Sequence, residues 1–200
     1  MILSEVSEIL VTRFHESIVG KNEFRGEWTL SLKPAALHQV CQYCRDELGF
    51  NLLLDVSSVD QFETEPRFEL VYELYSLASG LYLRLKTTAT EDDPSIASVC
   101  DLWPTANWHE REIWDMMGIR FENHPDLRRI IMWEGYPYHP LRKDFPLEGK
   151  SSDIPDVAFT EAAPLDGGPF VTAPVHGTTE IREPRARRAG DLPPETNSPE

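Results

Sequence analysis

The sequence has no apolar run approaching the roughly 20 residues that a bilayer-spanning helix needs. Its densest stretch, Phe50-Asn51-Leu52-Leu53-Leu54, is strand-sized and soon met by charge. Contact with a membrane is therefore expected only through a partner or a surface. Cysteine is scarce and odd in number: Cys41, Cys44 and Cys100 cannot build a disulfide framework and are expected as thiols in a reducing compartment. Positive charge is outnumbered, 19 Lys and Arg against 34 Asp and Glu for a net −15. That balance excludes a general nucleic-acid binder, because neutralising phosphates takes clustered cations. The basic cluster Arg182 to Arg188 is interrupted by Glu183 and Pro184 and reads as part of a solvated tail. The start, Met1-Ile2-Leu3-Ser4-Glu5-Val6-Ser7-Glu8, lacks a basic n-region, a small-residue cleavage site and the Arg-rich character of a transit peptide. The chain is expected to stay in the cytosol, most simply a bacterial one.

The usual nucleotide and nucleophile signatures are missing as well. There is no P-loop, no GxGxxG opening a helix and no GxSxG. The six histidines, His15, His38, His109, His124, His139 and His176, show neither HxxxH nor HExxH spacing, so a catalytic metal is not expected. Cys41-Gln42-Tyr43-Cys44 has CxxC spacing, but a cluster or structural zinc wants four ligands and there is no second CxxC. Both thiols fall on an apolar helix face and read as small buried hydrophobes. Glu110 and Glu112 stand two apart on a helix, so they face different ways and cannot flank one bond. Arg111 and Asp115 have the spacing of a helical ion pair.

Among the segments present, apolar positions Ile2, Val6, Ile9, Leu10 and Phe14 predict a helix over 2–19 with Gly20 as its stop. Glu27–Leu32 alternates as a strand. Ser31 to Pro34 opens a second helix whose face runs Leu37, Val40, Cys41, Cys44 and Leu48, ended by Gly49. Residues 51–59 read as a buried strand. Phe68, Leu70, Tyr72 and Leu74, then Leu81, Leu83 and Leu85 across a Ser79-Gly80 turn, predict a hairpin. Its outer face sets Glu69 and Glu73 against Arg84 and Lys86. A helix is expected from Ser95 through Ile96, Val99, Cys100 and Trp103, and another from Thr105 to Met117, stopped by Gly118. The expected fold class is α+β: a mixed or antiparallel sheet of about four strands with helices packed on it, followed by an extended irregular C-terminal arm. Residues 1–120 form the compact domain, 121–147 a docking arm, and 148–200 a Pro-rich acidic tail, disordered or wrapped on partners. Eight of the 16 prolines lie beyond Glu148, where little apolar surface could be buried.

Residues 107–147 carry the most specific pattern. They hold Glu110-Arg111-Glu112, Asp115, Gly118-Ile119, His124-Pro125-Asp126-Leu127-Arg128-Arg129-Ile130 and His139-Pro140-Leu141-Arg142-Lys143-Asp144-Phe145-Pro146-Leu147. Arg, His and aromatics mixed with proline suit a protein-docking region, since Arg pairs bidentately with carboxylates and is enriched in interface cores. In order and spacing these motifs resemble the 30 kDa-type subunit of respiratory complex I, the C subunit in bacteria. The resemblance covers roughly residues 1–150. It departs at Trp114, Met117 and Trp133-Glu134-Gly135-Tyr136-Pro137-Tyr138, which stands where the family approaches its HPLR motif more directly.

The resemblance implies a non-catalytic structural subunit in the peripheral arm, within the quinone module of a proton-pumping NADH:quinone oxidoreductase. It implies contact with the large quinone-site subunit, the D subunit, and with the B and I iron–sulfur subunits. No flavin, cluster or metal is expected on this chain; the holoenzyme uses FMN, iron–sulfur clusters, NADH and quinone. The implied location is the cytoplasmic face of the bacterial inner membrane, reached through the complex. By family motif the partner interface comprises Glu110, Arg111, Glu112, Asp115, Gly118, His124, Pro125, Asp126, Arg128, Arg129, His139, Pro140, Leu141, Arg142, Lys143, Asp144, Phe145 and Pro146. Two alternatives stay open: the equivalent subunit of a membrane-bound hydrogenase or ferredoxin- or F420-dependent complex, and a stand-alone enzyme using Glu110, Asp115 or Cys44.

Overall fold

The structure is a computed structural model that describes residues 2–147 and Gly149. The tail expected from Glu148 onward falls, Gly149 apart, outside the described residues. One compact unit runs Met1–Asp144, and a second begins at Phe145.

Helix α1 (Leu3–Arg13) buries Val6 and Leu10. It stops short of the predicted end at Gly20 because Phe14 leaves helical geometry (φ −115°, ψ 33°). The Phe14 carbonyl then accepts the N–H groups of Ser17 and Ile18, turning the chain back. The next element is a strand, β1 (Ile18–Phe24), which takes up Ile18 and Val19 from the expected helix and runs antiparallel to β2 (Glu27–Leu32). Arg25 and Gly26, at φ 54° and 83°, make the connection. Two positive φ values in a two-residue loop are what the twist of a tight hairpin demands.

A 3-10 turn with Pro34 at its start leads into α2 (Leu37–Asp46). Of its expected apolar face, Leu37, Val40, Cys41 and Cys44 are fully buried, while Leu48 lies beyond the helix and is half-buried. Strands β3 (Leu52–Asp60), β4 (Phe68–Tyr75) and β5 (Tyr82–Ala89) complete a five-stranded sheet in the order β1-β2-β5-β4-β3. The pairs are antiparallel except β2 with β5, so the sheet is mixed. The expected period of two holds in β4 and β5: Phe68, Leu70, Tyr72, Leu74, Leu83 and Leu85 are buried and share one core with the helices. On the opposite face Arg84 reaches Glu73 at 2.5 Å and Lys86 reaches Glu69 at 2.7 Å. Strand β3 is less buried than expected: a register shift between Leu53 and Asp55 leaves Leu54 and Val59 exposed.

The helix expected from Ser95 is not formed. Ser95–Ala97 is a short strand, β6, parallel to β7 (Arg120–Glu122) in a separate two-stranded sheet. A carboxylate of the next helix captures Ser98 and Val99 instead, leaving only a turn at Val99–Trp103. Helix α3 (Ala106–Met117) then forms as expected and ends on Gly118 at φ 77°. Beyond β7 the chain to Asp144 has neither helix nor strand, consistent with its recurrent prolines.

Candidate docking site: an arm anchored on α3

Helix α3 presents one row of its motif residues inward, and these residues hold the chain beyond the helix. Asp115 is fully buried. Its Oδ2 accepts three consecutive backbone N–H groups, from Ile130, Ile131 and Met132, at 3.0, 2.8 and 2.9 Å. Its Oδ1 pairs with Arg129 Nη1 at 2.5 Å. Burial pushes this carboxyl up, but the N–H groups of Met132 and Ile131, then Arg129 and Ile130, outweigh it and hold Asp115 below the ordinary range. Arg129 also donates to the carbonyls of Asp115 and Tyr138 and lies over the rings of Trp114 and Tyr136. Within the divergent 133–138 stretch, Trp133, Tyr136 and Tyr138 stack edge to face at 5.6 and 5.5 Å.

The arm then crosses the end of α3. His139 Nδ1 bonds the Asp115 carbonyl at 3.0 Å. The Leu141 N–H reaches Met116 O at 3.1 Å and Arg142 Nε reaches Met117 O at 2.6 Å. These are carbonyls that the last helical turn leaves without intrahelical partners. Gly118 is required here twice over. Its φ is positive, and a Cβ would stand 2.6 Å from both Arg142 Nη2 and His139.

Lys143 and Asp144 of the arm are tied to the sheet. Arg67, only 2% exposed, grips Asp60 with Nε and Nη2, each at 2.9 Å. It adds Glu91 at 2.5 Å and Asp144 at 2.7 Å, while the Lys143 N–H donates to Asp60 at 2.8 Å. The hydrogen bond from Arg67 leads the effects that hold Asp60 and Asp144 below the usual carboxylate range.

The sequence-predicted interface residues therefore divide. Glu110, Arg111, Asp115, Arg129, His139 and Arg142 point into the chain's own packing. Arg111 does not take the helical partner expected for it; its Nε donates to Arg128 O and its guanidinium lies over Trp108. Glu112, Pro125, Asp126, Arg128, Leu141, Lys143 and Asp144 are exposed, with Trp108 and Ile131 beside them in the sequence motif. Pro140 is half-buried. Phe145 and Pro146 lie in the second unit, where Pro146 O accepts the Gly149 N–H.

A grouping that spacing rules miss sits on the other side of α3. Glu110 is fully buried and accepts bonds from Ser98 Oγ (2.6 Å), the Val99 N–H (2.8 Å) and Cys100 Sγ (3.2 Å). His124 Nε2 stands 4.0 Å from the same carboxylate. Burial first of all raises Glu110 and Cys100, the thiol to about 12, and lowers His124. Because the three side chains are 10 and 14 residues apart in the sequence, no short motif could have joined them.

The structure is thus a mixed α+β domain whose most specific motif is spent on seating a proline-rich arm. Residues 30–151 match the family described as respiratory-chain NADH dehydrogenase, 30 Kd subunit. The chain is 47% identical over 137 residues to the C subunit of NADH-quinone oxidoreductase from Geotalea uraniireducens, covering 68% of this chain and 84% of that one. With the C subunit of the same enzyme from a Roseiflexus species it shares 43% over 157 residues, 78% and 87% of the two chains. Among solved structures it resembles a trypsin-resistant fragment (1-134) of Nqo5, with a TM-score of 0.56 and 32% identity over 64% of this chain and all of that one. An archaeal membrane-bound sulfane sulfur reductase complex contains a chain of the same fold (TM-score 0.63, 21% identity, 72% and 85% covered). The chain belongs to the 30 Kd subunit family of the respiratory-chain NADH dehydrogenase: it is a subunit of NADH-quinone oxidoreductase, complex I. Among the described residues no helix is long and apolar enough to cross a membrane.

Proposed function

We propose that the chain is a structural subunit of the peripheral arm, in the quinone module, and carries no electron-transferring group. In this reading residues 121–147 are its docking arm, seated against the large quinone-site subunit (the D subunit) with the B and I iron–sulfur subunits nearby. FMN, the iron–sulfur clusters, NADH and quinone are bound by other chains, and the subunit sits at the cytoplasmic face of the bacterial inner membrane through them. The observation that carries this is the inward use of Asp115, Arg129, His139 and Arg142. A segment without regular structure costs roughly 1–2 kcal/mol of backbone entropy per ordered residue. Fixing it beforehand spares that cost at assembly, which is how preorganised surfaces gain affinity. The face left outward, with Glu112, Asp126, Arg128, Leu141 and Lys143, combines charge with apolar contact as interface rims and cores do.

Arg128→Glu tests this, because the Arg128 side chain is 68% exposed and its loss leaves the anchor intact. The isolated variant is expected to melt like the wild type, while cells carrying it accumulate less full-size complex on native gels and retain NADH oxidation by the flavin module. Normal amounts of full-size complex would sink the proposal. The same reversal at Arg142 is less informative, because Arg142 holds the arm itself. Membership of the NADH dehydrogenase family favours this machine over a hydrogenase- or ferredoxin-type relative.

A further inference from the structure

We propose that Cys100, Glu110 and His124 form a binding site for a divalent transition cation of the zinc class. Thiolate, imidazole and carboxylate together are a donor set that selects zinc-like ions over magnesium or calcium. The three come from the turn after β6, from α3 and from the segment after β7, and their ligand atoms all lie within 4.8 Å of one another. Glu110 Oε2 is the common point, 3.2 Å from Cys100 Sγ and 4.0 Å from His124 Nε2. Zinc bond lengths of about 2.0–2.3 Å in tetrahedral array put ligand atoms roughly 3.3–3.8 Å apart. Closing the widest pair therefore takes a relative shift of up to roughly an ångström.

Charge points the same way. Glu110 is a fully buried carboxyl, and no Lys or Arg pairs with it among the described residues. The one ion pair open to it is with His124, whose side chain is equally buried and shifted toward its neutral form. A dication bound by one carboxylate, one thiolate and a neutral imidazole leaves the group with no net charge. The Tyr72 hydroxyl is buried and has no hydrogen-bond partner among the described residues. Besides burial, the charges of Glu110, Cys41 and Cys100 push this hydroxyl up. Cys100, half-buried, gives the ion a way in.

Binding has a stated proton balance. The thiol proton of Cys100 leaves to solvent as the S–H bond to Glu110 is replaced by the metal. The imidazole now accepts the Asp126 N–H at Nδ1 and therefore carries its proton on Nε2. With the metal on Nε2 in place of its bond to Asn107 O, that proton moves to Nδ1, and the Asp126 N–H is released. Affinity should rise with pH accordingly. The site is independent of the assembly role, and either can fail alone.

The test is titration of the full chain, stripped with a chelator, with Zn²⁺, and with Co²⁺ as an optical probe. One equivalent is expected, with a thiolate-to-cobalt charge-transfer band. Cys100→Ser and His124→Asn should each weaken binding about ten-fold or more, while His38→Asn and His109→Asn leave it unchanged. Absence of stoichiometric uptake, or uptake that survives Cys100→Ser with its charge-transfer band, overturns the proposal. If those variants do not fold, the wild type decides. Zn²⁺ should protect Cys100 from alkylation, located by peptide mass, and equal labelling with and without the ion refutes the site.

Discussion

Asp115→Asn should release the arm while leaving the sheet in place. The carboxylate accepts four contacts at once: three backbone N–H groups on Oδ2 and the Arg129 guanidinium on Oδ1. An asparagine can satisfy only one side. With its oxygen toward Ile130, Ile131 and Met132, its NH₂ meets the Arg129 donor; turned over, the NH₂ meets the three N–H groups. Either way Arg129, whose side chain is 10% exposed, loses its counter-charge. Removing one partner of a buried pair costs about 3–5 kcal/mol, a large part of the roughly 5–15 kcal/mol that holds a domain together. At about 2–4 °C per kcal/mol for a chain of this size, the thermal midpoint should fall by roughly 6–20 °C. Hydrogen exchange supplies the local readout. The amides of Ile130, Ile131 and Met132 should lose protection while those of β4 and β5 keep theirs up to the global limit. A midpoint within about 2 °C of wild type, with those three amides still protected, would refute the anchor.

Arg67→Met should cost about 3–5 kcal/mol, because it leaves Asp60 buried without its cation; a chemical denaturation midpoint unchanged from wild type would contradict this. Gly118→Ala should cost roughly 1–3 kcal/mol for a side chain at φ 77°, more once His139 and Arg142 are displaced, and should raise exchange at the Leu141 amide. Acid should unfold the domain in a set direction. Asp60, Asp115 and Asp144 are held below their ordinary range in the folded chain, so their contribution is present above the unfolded value of about 3.9 and is lost as pH falls through the folded values. Glu110 has the opposite sign: raised in the fold, its contribution is lost as pH rises through its folded value. Urea midpoints that stay flat between pH 5 and pH 3 would contradict the first part.

Much of the fold could be read from local pattern where one face is buried and the other wet. Strands β4 and β5 announce themselves by alternation, and α2 and α3 by their apolar stripes and by Gly49 and Gly118. Strand β1 could not be read this way. Most of it is exposed, and only pairing with β2 makes it a strand. Strands β6 and β7 are three residues each and exist because they meet across residues 98–119; alone, Ile96, Val99, Cys100 and Trp103 carry helical spacing. The site was legible as a motif but not as a direction. Nothing in the order Arg111, Asp115, Arg128, Arg129 tells which charges turn inward. That is decided by which backbone N–H groups and carbonyls the fold leaves needing partners.

The grip of Asp115 on residues 130–132 is made to main-chain N–H groups alone. Such a grip does not register which side chains it holds. Ile131, the exposed one of the three, could be exchanged for other non-proline residues without breaking those bonds. The texture presented outward at this point is thus uncoupled from the security of its mounting. A lineage could refit this surface to a diverging neighbour by point changes, each tested against the partner and not against the fold.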